Sequence, residues 1–292
     1  MQKQSYIYAL IAVLLWSTVA SAFKLSLRFL TVTELVLIST ASSVIALFLI
    51  ALLTGKLSAI RSFTRQDILL ATLFGFLNPF LYYHILFKAY DLLPAQQAQA
   101  INYTWAITLA LISVPVLKQA LSKYDVIGLV IAYSGVLIIS TQGDLASFEK
   151  TNIKGVGYAL LSTLIWALYW VYNTRQNKPV VISLLLNFSF GLVFILLYYL
   201  FTAEIRAIRF NGYFGAIYVG LFEMSLTFLL WLSALKLSDS TAKISTLIFL
   251  SPFLSLIFIH YFVGEKIQVA TFIGLVVIIS GVLIQRKKSK KN

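Results

Sequence analysis

Gly128-Leu-Val-Ile-Ala-Tyr-Ser-Gly-Val-Leu-Ile138 returns 146 positions later as Gly274-Leu-Val-Val-Ile-Ile-Ser-Gly-Val-Leu-Ile284, identical at eight of eleven positions. The chain is a duplication, and the length of the repeat decides its architecture. Working outward, Tyr8-Ala-Leu10 and Trp16 match Tyr158-Ala-Leu160 and Trp166 at an offset of 150. Gly75 matches Gly220 at offset 145, which sets Asn78 on Glu223, Tyr82 on Thr227 and Ala89 on Ala234; Gln119 falls on Glu265 at 146.

The composition names the solvent. With 60% hydrophobic residues, 11% charged residues and a mean hydropathy of +0.90, one soluble core cannot hide the apolar side chains. Charges mark boundaries, and about 20 apolar residues suffice to cross the hydrocarbon layer. Reading from charge to charge predicts ten spans: 4–23, 35–55, 68–87, 92–117, 126–143, 155–174, 179–203, 210–235, 244–264 and 267–285. Backbone amides find no water in lipid, so continuous runs of this length predict α-helices and not barrel strands. The expected fold is an all-α integral membrane chain of ten transmembrane helices in two inverted five-helix repeats. The repeats run over 1–143 and 150–285, and a basic cytoplasmic tail follows at 286–292. No room is left for a soluble catalytic or nucleic-acid-binding domain.

The positive charges orient the spans. Lys3, Lys56, Arg61, Arg65, Lys118, Lys123, Arg175, Lys178, Lys236, Lys243 and the five basic residues of the tail fall on one side, against eight on the other. The positive-inside bias therefore predicts cytoplasmic termini and a bacterial-type plasma (inner) membrane. It also accounts for the net charge of +13 through orientation and anionic lipid headgroups, without a nucleic-acid partner. Lys3, the apolar stretch and Ala20-Ser-Ala22 resemble a signal peptide, but the stretch is long for one and has a counterpart in the second half, so it is expected to be retained. Cysteine is absent, so disulfide and thiolate chemistry are excluded.

Five spans per half force the second copy to enter the membrane from the opposite face. Secondary transporters use such inverted repeats to expose a central site alternately to each side. An intramembrane enzyme would need clustered acid/base or metal-ligating groups, yet there is no His-Glu-x-x-His, no paired Asp and no nucleophilic Cys. No catalytic residue, metal or cofactor is expected. A channel-like facilitator or a passive membrane scaffold stays open as an alternative, since polar helices can line either, as does a carrier of amphipathic cations or drugs; a small-molecule substrate and membrane lipid are the expected partners.

Polar and aromatic groups at depth nominate the site. Ser162, Trp166, Tyr169, Trp170 and Asn173 recur at spacings of three and four and share one face of the sixth span; cavity lining and interhelical packing are the two readings. Tyr198, Tyr199, Tyr213 and Tyr261 sit near span ends as interfacial anchors. Asn78 precedes Pro79, which interrupts the backbone ladder of the third span, and Asn78 and Tyr82 are expected on one face, as are Glu223 and Thr227. Glu223 alone lies deep inside a span, where a charge costs about 2.5–3.5 kcal/mol on insertion scales, so it is expected to face the protein interior. It is the candidate for proton coupling or a substrate amine, the alternative being a helix tie made with Lys243. His84 and His260 read as helix-contact or near-interface residues. The fourth span opens Pro94-Ala-Gln-Gln-Ala-Gln99 and continues Asn102-Tyr103-Thr104-Trp105; Gln96, Gln99 and Tyr103 point one way, Asn102 and Trp105 another. Gly128, Gly135, Gly274 and Gly281 predict close packing, within the monomer or at a homodimer interface.

Leu15-Trp16-Ser17-Thr18 with Lys24 eight residues after the Trp, Ile165-Trp166-Ala167, and Gly264-Glu265-Lys266 followed by Gly274 and Gly281 resemble the EamA-type drug/metabolite transporter superfamily, over nearly the whole chain. Within it, Leu-Trp-Ser-Thr and Ile101-Asn102-Tyr103-Thr104-Trp105 are similar to bacterial exporters of aromatic amino acids, although Ala106 stands where those carry Pro and the first half has Gln119 where a Glu is expected. The resemblance implies export of amino acids or related amphipathic solutes through a central cavity lined by Tyr103, Trp105 and Trp166, with Tyr82 beside them; Trp16 is a further candidate for substrate binding. Aromatic faces suit planar or cationic solutes.

Overall fold

A computed structural model describes residues 2–105, 107–109, 111–112, 123–144, 152–173, 178–202, 210–237, 244 and 247–286. These form α1 (Gln2–Ser26), α2 (Val32–Leu53), α3 (Arg65–Gly75), α4 (Tyr82–Leu92), α5 (Ala95–Asn102), α6 (Lys123–Ser140), α7 (Ile153–Asn173), α8 (Val180–Thr202), α9 (Phe210–Phe222), α10 (Leu226–Leu237), α11 (Ser251–Phe258) and α12 (Val269–Arg286). π-helical stretches at Phe76–Leu81 and Ile259–Val263 and a 3-10 stretch at Leu247–Leu250 join consecutive helices. Lys3–Ser26, Val32–Leu53, Arg65–Leu92, Val180–Thr202 and Asn211–Ala234 are long and apolar enough to cross a bilayer, and shorter apolar helices accompany them.

Local chemistry sets the ends. Thr31 caps α2 by accepting from the Glu34 backbone N–H at 3.2 Å, while the Glu34 carboxylate accepts from the Thr31 N–H at 2.6 Å. Thr64 and Asp67 repeat the box at α3. Asp67 also pairs with Lys178 at 2.9 Å, and Lys178 donates to the Ser62 carbonyl at 2.9 Å, which pins the start of α3 beside the start of α8. The third span therefore runs longer than 68–87, from Arg65 to Leu92, because its flanking charges are held at the ends.

Other spans expected to be continuous are interrupted. Asn78 leaves helical geometry at φ −147°, ψ 115°, where the following proline disfavours the α region and removes a donor. The eighth span breaks at residues 223–225, between α9 and α10, without any proline. Since Asn78 matches Glu223 in the duplication, the same interruption stands at equivalent places in both halves. The ninth span is assembled from the 3-10 stretch, α11 and the π-helical stretch; in the fourth, α5 ends at Asn102 in a turn, helical residues follow at 105, 107–109 and 111–112, and 113–117 lie outside the described residues.

Packing falls into two units, Met1–His84 with Asn177–Phe258, and Ile85–Gln176 with Ile259–Asn292, so each unit draws on both sequence halves. In the first, α1 packs on α9, α10 and α11, α2 on α8 and α9, and α8 on α3 and the adjoining π-helical stretch. Ser5 donates to the Ala234 carbonyl at 2.7 Å, Ser255 to the Ser17 carbonyl at 2.7 Å, and Thr18 and Tyr218 share a hydrogen bond of 2.6 Å. In the second, α6 packs along α12, and α5 touches α6, α7 and α12. A Cβ on Gly135 would lie 2.6 Å from the Gly274 carbonyl oxygen, and one on Gly281 2.9 Å from the Ala132 nitrogen. The glycines of the repeated segment thus bring α6 and α12 of one chain into backbone contact.

Candidate functional site

The first unit holds a carboxylate buried at the break of a span. Glu223 follows the last residue of α9, where the chain leaves the helix. It is buried and accepts a hydrogen bond from the Tyr83 hydroxyl at 3.3 Å. The break around it is closed locally. Ser225 donates to the Gly220 carbonyl at 2.8 Å, Ser43 of α2 donates to the Met224 carbonyl at 3.3 Å, and the Thr227 hydroxyl donates to the Phe222 carbonyl. Lys243 lies outside the described residues, and the described partner of the carboxylate is a tyrosine.

Both interruptions correct the face assignments of the sequence. A continuous helix would put Asn78 and Tyr82 on one face, but the extended backbone at Asn78 resets the helical phase before Tyr82. Glu223 and Thr227 are separated by the turn in the same way, and the Thr227 hydroxyl is spent on the Phe222 carbonyl. Tyr82 and Tyr83 are both buried, with ring centroids 4.8 Å apart. Tyr83, which the sequence did not single out, is the group that reaches Glu223.

Trp16 is half-buried and packs edge-on against Phe228 at 5.8 Å and tilted against Trp231 at 5.5 Å, next to the α1–α10 contact built on Ala9 and Ala234. His84 is bonded to the Phe80 carbonyl at 2.7 Å and packs on the Tyr198 ring at 5.2 Å, while its Nε2 is buried without a hydrogen-bond partner among the described residues.

The second unit carries the aromatic stripe. On α7, Trp166 stacks on Tyr169 with centroids 6.1 Å apart and meets Trp170 edge-on at 5.7 Å. Tyr169 is buried, whereas Trp166 and Trp170 are half-buried. Asn102 donates from Nδ2 to the Ser162 hydroxyl at 2.9 Å, and Thr108 and Thr163 share a hydrogen bond of 2.9 Å, so the fourth span is tied to α7 beside the stripe. Tyr103 and Trp105 are half-buried where α5 gives way to a turn. The side chain of Asn173 lies outside the described residues, as do Gln119 and Ala106.

Gln96 belongs to the scaffold. Its Nε2 donates to the Lys266 carbonyl at 2.9 Å and its Oε1 accepts from the Gln268 N–H at 3.0 Å. Beside it, Glu265 accepts from the Ala95 N–H at 2.8 Å and the Gln96 N–H at 3.3 Å. Pro94 offers α5 no side-chain cap, so a carboxylate from the loop before α12 satisfies the free donors and meets the positive end of that helix. His260, expected near the interface, is exposed and bonds the Glu265 carbonyl at 2.9 Å.

Sequence reasoning missed three residues. Tyr83 was hidden by the phase reset, and the capping role of Glu265 requires knowing that its loop meets α5. Asn187 could have been found, as an amide near the middle of the apolar run 179–203. It is fully buried on α8, as is Asn78 on the π-helical stretch that α8 packs against.

An all-helical, duplicated chain of apolar spans fits a membrane transporter, and comparison with known proteins places it. Residues 3–141 and 153–285 each match the EamA-like transporter family, and the chain belongs to that family. It is an integral membrane transporter of ten-span fold with an internal repeat. It is 26% identical over 218 residues to the uncharacterized transporter YvbV of Bacillus subtilis (strain 168), which covers 73% of this chain and 70% of that protein. It is 26% identical over 235 residues to an uncharacterized transporter of Acidianus ambivalens, covering 78% and 86%. A crystal structure with 18% identity superimposes with a TM-score of 0.69 over 99% of this chain and 98% of that one, a likeness of fold.

Proposed function

We propose that the chain is a secondary carrier that exports small metabolites, amino acids or related amphipathic solutes, from the cytoplasm across a bacterial-type inner membrane, with both termini cytoplasmic. The observation that carries this reading is Glu223, a buried carboxylate at the break of a membrane span, bonded to Tyr83. Discontinuous spans are where such carriers expose backbone and polar groups to a solute or coupling ion. Glu223 is assigned the proton-coupling role. Asn78, Tyr82, Thr227 and Trp16 complete the candidate substrate group of the first unit; Asn102, Tyr103, Trp105, Trp166, Tyr169, Trp170 and Asn173 form that of the second. The aromatic faces of the latter provide apolar area and cation–π attraction for an amphipathic solute.

Purified protein in proteoliposomes is expected to move labelled amino acids saturably and to show counterflow against an unlabelled pool. Flux linear in concentration, without counterflow, would indicate a channel and sink the reading. Glu223→Gln is expected to abolish coupling to a pH gradient while sparing counterflow. Trp166→Ala is expected to weaken the apparent affinity for aromatic substrates about three- to tenfold, the scale of one lost aromatic contact.

A further inference from the structure

Two helix crossings in the first unit repeat one design with different chemistry. Gly220 of α9 lies against the Ser39 carbonyl of α2, with Ser42 Cβ 2.8 Å from where its own Cβ would stand. Three residues on comes Glu223. Its counterpart Gly75 of α3 lies against the Asn187 carbonyl of α8, 2.6 Å from the Gly191 nitrogen by the same measure, and three residues on comes Asn78. Gly191 in turn faces Pro79, whose Cγ lies 2.6 Å from its added Cβ. Asn187 and Gly191, one turn apart, therefore lie where α8 crosses the third span at its break, and Ser183 is one turn before Asn187 on α8.

At the first crossing Glu223 is matched by Tyr83 and the Met224 carbonyl by Ser43. At the second the buried amides are not matched. Asn78 and Asn187 are fully buried, and Nδ2 and Oδ1 of both lack a hydrogen-bond partner, as does the buried Ser183 hydroxyl. Buried amides normally find partners, because leaving them unpaired forfeits their desolvation cost. Asn78 and Asn187 belong to two elements that pack against each other, the π-helical stretch and α8.

We infer that Asn78 and Asn187, with Ser183 one turn along α8, form a binding site for an uncharged solute group that both donates and accepts hydrogen bonds. A primary carboxamide is the closest chemical match and a hydroxyl the next. Each amide presents two N–H donors and a carbonyl acceptor, so a ligand that only accepts or only donates would leave half the site unmet. Neither residue carries charge to offset the desolvation of an ion, which disfavours a carboxylate or ammonium at this point. The inference rests on the carrier reading only for the ligand being the transported solute.

The test uses full-length protein in detergent and isosteric probe pairs: L-glutamine against L-methionine and L-glutamate, and L-threonine against L-valine. L-glutamine or L-threonine, but not its isosteres, is expected to raise the unfolding midpoint by roughly 5 °C at a hundredfold excess over Kd. Asn187→Leu and Asn78→Leu are each expected to remove that shift, and Asn187→Gln to keep part of it. If either Leu variant fails to fold, the other and Ser183→Ala, expected to weaken the shift severalfold, decide. Water has the same donor and acceptor chemistry; if water alone serves these groups, no probe separates from its isostere and the proposal is overturned. It is equally overturned if the shifts survive both Leu substitutions. Flux is read separately in proteoliposomes: saturable flux of L-leucine with no discrimination within the pairs removes this site and leaves the carrier, whereas discrimination in binding without saturable flux removes the carrier and leaves the site.

Discussion

The contact between Tyr83 and Glu223 is a single hydrogen bond at 3.3 Å on a buried carboxylate, so removing its donor gives a clean measure of how the acid is held. Tyr83→Phe keeps the ring and is expected to destabilise the protein by about 0.6–1.7 kcal/mol, the range of polar contacts measured in membrane proteins, in a reversible denaturation assay. An unchanged stability would mean that Glu223 draws its support elsewhere. That the acid is buried was legible in the sequence, since one charge in an apolar run is expected to face the protein interior. Its partner was not, because period-3.6 reasoning carries across a helix only while the helix continues. Asn78 at φ −147° ends that continuity four residues before Tyr82 and shifts the useful hydroxyl to the neighbouring tyrosine. The Trp166, Tyr169 and Trp170 stripe was legible because α7 runs unbroken from Ile153 to Asn173.

At the level of elements, the repeated glycine segments read correctly as packing, and the structure resolves which packing, α6 against α12. Gly135→Leu would drive a side chain into the Gly274 carbonyl and Ile278 and is expected to cost about 1–3 kcal/mol or more. Gly157, on α7 with nothing within 4 Å of its added Cβ, is the contrast: Gly157→Ala is expected to be neutral or to stabilise by up to about 1 kcal/mol through helix propensity. Equal effects from the two would contradict the α6–α12 contact. The cap on α5 provides a second check. Glu265→Ala leaves the Ala95 and Gln96 N–H groups without their acceptor and is expected to cost about 1–2 kcal/mol, with faster proteolysis near residue 95. Sequence alone marks Glu265 as a charge at a span boundary; it takes the fold to bring that charge to the start of another helix.

For the whole molecule, the ten spans and their duplication could be read from hydropathy and offsets, because lipid forces regular helices. How the spans group could not, since every apolar face looks alike to a sequence. Orientation remains the expectation set by Lys and Arg, and the cysteine-free chain makes it easy to check. A single cysteine at Ser58 is expected to be shielded from an impermeant thiol reagent in intact cells, and one at Arg28 to be labelled; the reverse pattern would invert the topology. The two packing units have a further consequence. Spans one to three pack with seven to nine, and spans four to six with ten, so each unit takes helices from both sequence halves. The duplication, which equates span one with six and four with nine, carries the pair one and nine onto the pair six and four and thus assigns equivalent helices to different units. Neither half therefore contains what it needs to bury its own polar faces. An ancestral single copy could have met that need only from a second molecule inserted the opposite way round. The present chain should keep that property: fragments 1–148 and 149–292, made separately, are expected to be cleared by the cell, yet to accumulate and co-purify when made together.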